Sequence, residues 1–273
     1  MTLRSTYRSL GRLTRELRSL PGTAYAALYI AARLNHVFHA AGLSPAGQFR
    51  LLPGRLQVSR RLMRQPYWVP LSSIKWGGRP RGGERRKGKG LGQGIVFDGD
   101  WDIEDKREID AYLNDYIYSK AVFQIFRDAM DYRETDQYKE MMQFVESGQT
   151  SVWQVRGCRS ESDVNKYFAD MRKTFDALSE HSYLSQQELG SDEWFDEIKV
   201  YVDRNGELHK QQAAGHHRLA MARILNIAAL PVLVLGVHRQ WAERVQRERG
   251  KDVISSIDDA LVDMAPPSRE RAT

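Results

Sequence analysis

Apolar positions along the chain change their period several times. Between residues 104 and 189 they recur at helical spacing, with Tyr112, Ile117, Val122, Ile125 and Phe126 on one stripe. Val164, Phe168, Met171, Phe175 and Leu178 form another, with Ser160 and Ser162 as candidate caps at its start. Near residue 195 the pattern turns to strands: "IKVYVDRNGELHKQQ" predicts two, over 197–203 and 207–213, around a tight turn at Asn205-Gly206, a pair that tolerates positive φ. Leu219, Met221, Ala222 and Leu225 restore the helical period, and "LPVLVLGV" then predicts a buried strand over 231–237. Upstream, "YWVPLSSIKW" and "GIVFDG" predict strands near 68–76 and 94–98. The expected fold class is therefore α/β, a small mixed sheet carrying a large helical insertion at about 104–189.

The first 66 residues form a separate pattern. Leu3, Tyr7, Leu10, Leu13, Leu17 and Leu20 share one helical stripe, while Arg4, Arg8, Arg12, Arg15 and Arg18 fall elsewhere. Such a basic amphipathic helix suits an anionic membrane surface, or packs on the main domain with its arginines solvated. A second helix is expected over 23–42, after Pro21-Gly22. The organisation expected is a basic helical extension over 1–66, a main domain over 67–250, and a C-terminal helix and tail over 251–273. The last residues, "PPSRERAT", are expected to be disordered.

Charge sharpens this division. The first 90 residues hold 18 Lys and Arg against two acids, whereas the rest holds 23 against 33. A basic third on an acidic body implies that the two ends meet different partners: anionic lipid, nucleic acid, or the acidic body itself. The single Cys158 excludes an internal disulfide and a cysteine-rich zinc site, and fits a reducing, cytoplasmic compartment, with peripheral membrane attachment through residues 1–20. Cys158 sits between Arg156 and Arg159, which would lower its thiol pKa if exposed; a lone cysteine is more often a bystander than a nucleophile. The stretch "GERRKGKG" falls one residue short of a phosphate-binding P-loop, since Gly90 stands where Ser or Thr should be. It leads into a strand rather than a helix and reads as a solvated loop.

Two places carry candidate chemistry. In "FDGDWD", Asp98, Asp100 and Asp102 alternate, a spacing that can hold a divalent cation or simply form a turn capping the next helix. In "AAGHHRLAMARIL", Gly215, His216, His217 and Arg218 stand where a helix begins after a hairpin. A helix N-terminus offers unpaired N–H groups and a positive dipole end, which favour phosphate. Gly215 permits close backbone approach, Arg218 offers a bidentate fork, and His216 and His217 can donate to phosphate or move protons. The alternative is a helix start whose Arg218 pairs with Asp203 or another carboxylate.

The order strand, Gly-x-His-Arg, helix, then "LNIAALPVLVLGV" resembles the ParB/sulfiredoxin superfamily. "VPLSSIKW" is similar to its opening strand. The likeness is best over 196–240, extends to 67–103, and does not reach 1–66. Sulfiredoxins place a catalytic cysteine where His216 stands, so sulfinate repair is not implied. Partition proteins carry a Gly-Glu-Arg-Arg box before a helix-turn-helix domain; here "GERR" at 83–86 lies elsewhere, and too few residues follow the last strand for that domain. The Gly-His-His-Arg form is similar to the free serine kinases of the superfamily, although Ala214 replaces the Asp that commonly precedes the glycine there. The resemblance implies a nucleotide-dependent phosphotransferase or nucleotide hydrolase. Gly215, His216, His217 and Arg218 would hold the phosphates of a nucleoside triphosphate or diphosphate. His217, with Asp98 or Asp100, would act as acid or base, and Mg2+ would sit on Asp98, Asp100 and Asp102. The acceptor implied is a small hydroxylated molecule. The alternative implied is a ParB-like nucleotide switch or DNA-binding module without phosphotransfer.

Overall fold

The computed structural model describes residues 66–78, 96–97, 99–103, 106–149, 155, 157–190, 196–211 and 215–266. The two expected N-terminal helices, the "GERRKGKG" loop, Asp98, Ala214 and the tail from residue 267 lie outside the described residues. Within them the chain is a mixed α/β protein. Its strands are β1 (Tyr67–Pro70), β2 (Ile74–Gly77), β3 (Val96–Phe97), β4 (Arg107–Glu108), β5 (Ile198–Val202), β6 (Leu208–Lys210) and β7 (Ala229–His238). Its helices are α1 (Ile109–Asp115), α2 (Ile117–Phe126), α3 (Asp136–Glu146), α4 (Glu161–His181), α5 (His216–Ile224), α6 (Arg239–Arg249) and α7 (Val253–Val262).

One seven-stranded sheet runs in the order β1-β7-β5-β6-β2-β4, with β3 paired to the far end of β7. The ten residues of β7 are all buried, as expected for an apolar strand covered on both faces. It pairs in parallel with β5 and antiparallel with β1. The stretch expected as one strand near 68–76 is two. Pro70 ends β1, Leu71–Ser73 makes a single 3-10 turn in which the Ser73 hydroxyl donates to the Pro70 carbonyl at 2.6 Å, and β2 then joins β6 in parallel. Proline has no N–H to extend a ladder, so the chain leaves one side of the sheet and re-enters on the other.

The hairpin differs from the expected tight turn. Val202 pairs with Leu208, which leaves a five-residue connection, and of Asn205 and Gly206 only the glycine is left-handed, with φ of 92°. The Asp203 carboxylate accepts from the amides of Asn205 at 2.9 Å and Glu207 at 2.8 Å, so a side chain organises the loop.

The helical insertion begins later than expected, because β4 occupies Arg107–Glu108. The Glu108 carboxylate accepts from the amides of Asp110 and Ala111 and caps α1, and Ser160 caps α4 by accepting from Asp163 N at 3.2 Å. Val164, Phe168, Met171 and Leu178 of α4 are buried as their spacing predicts. Phe126 stacks on Phe175 and Tyr132 on Phe168, tying α2 and its following turn to α4. The main core joins Val122 and Phe123 of α2, Leu219 and Met221 of α5, and Val200 and Val202 of β5. The C-terminal α7 is part of it: Ile257 and Leu261 are buried, and the Tyr67 hydroxyl donates to the buried Asp258 at 2.6 Å. On the opposite face, Trp101, Tyr201 and Leu235 form a smaller cluster. No described helix is long and apolar enough to cross a membrane.

One contact sets the angle between insertion and sheet. Tyr112 of α1 packs directly against Gly77 of β2, so that a Cβ at Gly77 would fall 2.2 Å from Cδ1 of Tyr112. Gly77→Ala is expected to destabilise the fold by about 1–3 kcal/mol through overpacking. In a Tyr112→Ala background, which removes the ring and leaves only Cβ at 2.8 Å, the same change is expected to cost clearly less, a coupling that a double-mutant cycle of urea midpoints measures.

Candidate functional site

Gly215 adopts the left-handed conformation, with φ of 78° and ψ of 18°, and caps α5. Its lack of a side chain is required twice. Left-handed backbone disfavours a Cβ, and a Cβ here would lie 2.8 Å from Ile198 Cγ1 and 3.1 Å from Ile198 Cα. The start of α5 is thereby pressed onto the start of β5. No side chain caps the helix, and its first turn holds no acid. The positive dipole end of α5 favours an anion.

Each histidine after the glycine is met by a tyrosine of the insertion. Nε2 of the buried His216 lies 3.0 Å from the Tyr112 hydroxyl, and its ring stacks on Tyr116 with centroids 4.1 Å apart. Nε2 of the half-buried His217 lies 3.0 Å from the Tyr167 hydroxyl, which also accepts from the Gln137 amide at 2.9 Å. The Tyr118 ring meets His217 edge-on. Hydrogen bonds at Nε2 fix both rings and leave His217 the more accessible of the two.

Arg218 points back under the turn. Nη2 donates to the Asp196 carbonyl and lies 3.2 Å from Asp196 Oδ2, and Nη1 lies 3.8 Å from Oε2 of Glu197. The carboxylate partner is thus Asp196, with Glu197 close by, rather than Asp203. Glu197 is fully buried. Its Oε1 accepts from the Gln186 amide at 2.5 Å, while Oε2 has no hydrogen-bond partner among the described residues. Burial pushes the Glu197 carboxyl up to about 7, against the opposing pull of the Gln186 amide and Arg218.

Two lysines complete the cluster. Lys199 of β5 and Lys210 of β6 are both buried. Lys210 Nζ donates to the Gln211 carbonyl and forms no ion pair with a described carboxylate. Burial, followed by the charges of Lys199 and Arg218, holds its ammonium well below the usual lysine range. The start of β5 therefore brings Lys199, Lys210 and Arg218 near one another, with Glu197 the buried acid and Asp196 half-exposed.

Asp100 and Asp102 lie elsewhere. Both oxygens of the buried Asp102 are taken by Arg204, through its backbone amide and Nε at 2.9 Å and Nη2 at 2.7 Å. Arg204 Nη2 also reaches Asp100 at 2.7 Å. Burial alone would raise the Asp102 carboxyl, but the Arg204 hydrogen bonds prevail and hold it below the ordinary range. Arg204 follows the end of β5, whereas Gly215 covers its start, so about six residues of extended chain, roughly 20 Å, separate the two. Among the described residues no group of three His, Cys, Asp or Glu side chains is arranged for a metal ion. Asp100 and Asp102 do not fit the expected Mg2+ site, since Arg204 already neutralises them. Nor are they beside His217 as acid or base.

The structure keeps Gly215 to Arg218 in one helical turn and sets beside them Glu197, Lys199, Lys210, Tyr112 and Tyr167, which sequence spacing did not single out for the site. The two lysines did leave a signal, as charges set within the otherwise apolar strands "IKVYV" and "LHK". Cys158 is not an activated thiol: it is buried, and burial raises its pKa. No protein-family model, curated protein or solved structure matches the chain.

The elevated Glu197 pKa has a defined consequence. An acid whose folded pKa exceeds its unfolded value of 4.5 stabilises fully below 4.5, and that contribution is lost as pH rises through about 7. Glu197→Gln does not titrate. Relative to the parent, it is expected to gain on the order of 3 kcal/mol between about pH 5 and 8, read from denaturant midpoints across that range.

Proposed function

We propose that the chain binds the phosphates of a nucleotide at the start of α5 and acts as a nucleotide-dependent phosphotransferase or nucleotide hydrolase of ParB/sulfiredoxin type. The observation that carries this reading is the buried Arg218, with the buried Lys199 and Lys210 near it, at the glycine-led start of α5. A phosphate oxyanion is drawn by the Arg218 guanidinium and by the positive dipole end of α5, and accepts from the helix amides. A structural helix start would need neither the close approach of Gly215 nor buried lysines from two strands.

In this reading Arg218 and the first-turn amides hold the anion, with Asp196 yielding part of its hold on the guanidinium. His217, kept in place by Tyr167, moves the proton of the attacking hydroxyl or water, and Tyr112 and Tyr116 keep His216 fixed beneath it. Phosphoryl transfer asks the protein mostly for positioning and charge neutralisation, which this set of residues offers. The acceptor is a small hydroxylated molecule. Magnesium would come on the nucleotide phosphates themselves, because Asp100 and Asp102 are occupied by Arg204. A second reading, a ParB-like DNA-binding switch, is favoured by the 18 bases against two acids in residues 1–90. In that case DNA affinity falls steeply with salt and survives changes at Arg218.

Calorimetric titration with ATP, ADP and CTP, with and without magnesium, tests the main reading. Arg218→Ala is expected to weaken nucleotide binding by about 1.5–3 kcal/mol, and Arg218→Lys to restore only part of it. His217→Ala is expected to lower turnover by roughly 10²–10⁴ while leaving binding close to the parent's. A folded Arg218→Ala variant that binds nucleotide as tightly as the parent overturns the reading.

A further inference from the structure

Among the described residues Glu197 is the one fully buried carboxylate in contact distance of Arg218, and only half of it is satisfied. The Gln186 amide holds Oε1 at 2.5 Å, so the side chain cannot swing away without losing a partly buried hydrogen bond. Oε2 faces Nη1 of Arg218 at 3.8 Å and accepts no hydrogen bond from a described residue. An anion drawn to Arg218 therefore arrives beside a carboxylate oxygen that is fixed in place and shielded from water. Two negative charges so placed repel strongly, whereas a protonated Oε2 would donate to the incoming oxyanion.

We infer that Glu197 takes up a proton when an anion binds at the Arg218 turn, so that the site binds a phosphate-like dianion together with one solvent proton. This rests on the anion-binding reading of the turn. No bond to the ligand forms; the proton comes from water and resides on Oε2. The charged and titratable groups around Glu197 are Asp196 beside it, Lys199 on β5, Arg218 on α5 and Tyr183 after α4, with Lys210 of β6 next to Lys199 and Arg218. The free carboxyl already titrates near 7, close enough to neutrality for a nearby anion to change its state. The site would accordingly loosen in alkaline solution, even though Arg218 remains cationic there.

Sodium sulfate is the probe, because it is a tetrahedral dianion that does not itself titrate near neutral pH. Calorimetric titration at about pH 8, in buffers of different ionisation enthalpy, is expected to give an uptake of about 0.5–1 proton per sulfate. Affinity is expected to fall by up to about tenfold per pH unit above pH 7. Glu197→Gln is expected to bind sulfate with no proton uptake and with affinity unchanged between about pH 6 and 8. Uptake that persists in Glu197→Gln but vanishes in Lys210→Met assigns the proton to the lysine and overturns the inference. Sulfate binding by the parent without proton uptake also overturns it, leaving the anion site intact, and decides the matter even if Glu197→Gln fails to fold. Failure of the parent to bind either sulfate or ADP overturns the anion site and the inference together.

Discussion

The site depends on a backbone contact, the left-handed Gly215 lying against Ile198 with no room for a Cβ between them. That contact places the positive end of α5 on the first residue of β5. It also brings the side chains before and along β5, Glu197 and Lys199, together with Lys210 from the neighbouring strand and Arg218 from the helix. Any side chain at 215 would both strain the turn and push the helix from the strand. The electrostatics of the cluster thus follow from a steric condition at one residue.

The insertion holds the turn from the other side. Tyr112 and Tyr167 come from α1 and α4, 104 and 50 residues before the histidines they meet. Tyr112 in turn rests on Gly77 of β2, so a second glycine without space for a side chain positions the ring that holds His216. Sheet and insertion are therefore joined at the motif itself. Phenol–imidazole hydrogen bonds orient the rings without adding charge to a site already rich in it.

At the other end of β5 a second polar network serves a structural purpose. Arg204 bridges Asp100 and Asp102, Asp203 organises the hairpin loop and meets His209 at 3.1 Å, and Trp101 packs against Tyr201 and His209. These groups tie the segment after β3 to the β5–β6 hairpin. Carboxylates matched so closely by an arginine contribute to holding two loops together and have little capacity left for a cation.

Local periodicity was enough to determine the kinds of element present: a helical stretch after residue 104, strands after 195, and a helix led by Gly215. It also determined the motif, because Gly215, His216, His217 and Arg218 are consecutive and share one helical turn. Even the misjudged parts were local, such as the break that Pro70 makes between β1 and β2 and the Asp203-organised loop that replaces a two-residue turn. What tertiary structure alone decided is which charges face each other. Strand alternation tells that Lys199 and Lys210 occupy particular faces, but not that Arg218 of α5 comes near them, since that depends on sheet order and on a helix docking across the chain. The same holds for Asp102, whose partner Arg204 is 102 residues away. A carboxylate in a spacing suited to a cation becomes a salt-bridge anchor when an arginine reaches it first, and no pattern within six residues of sequence carries that information.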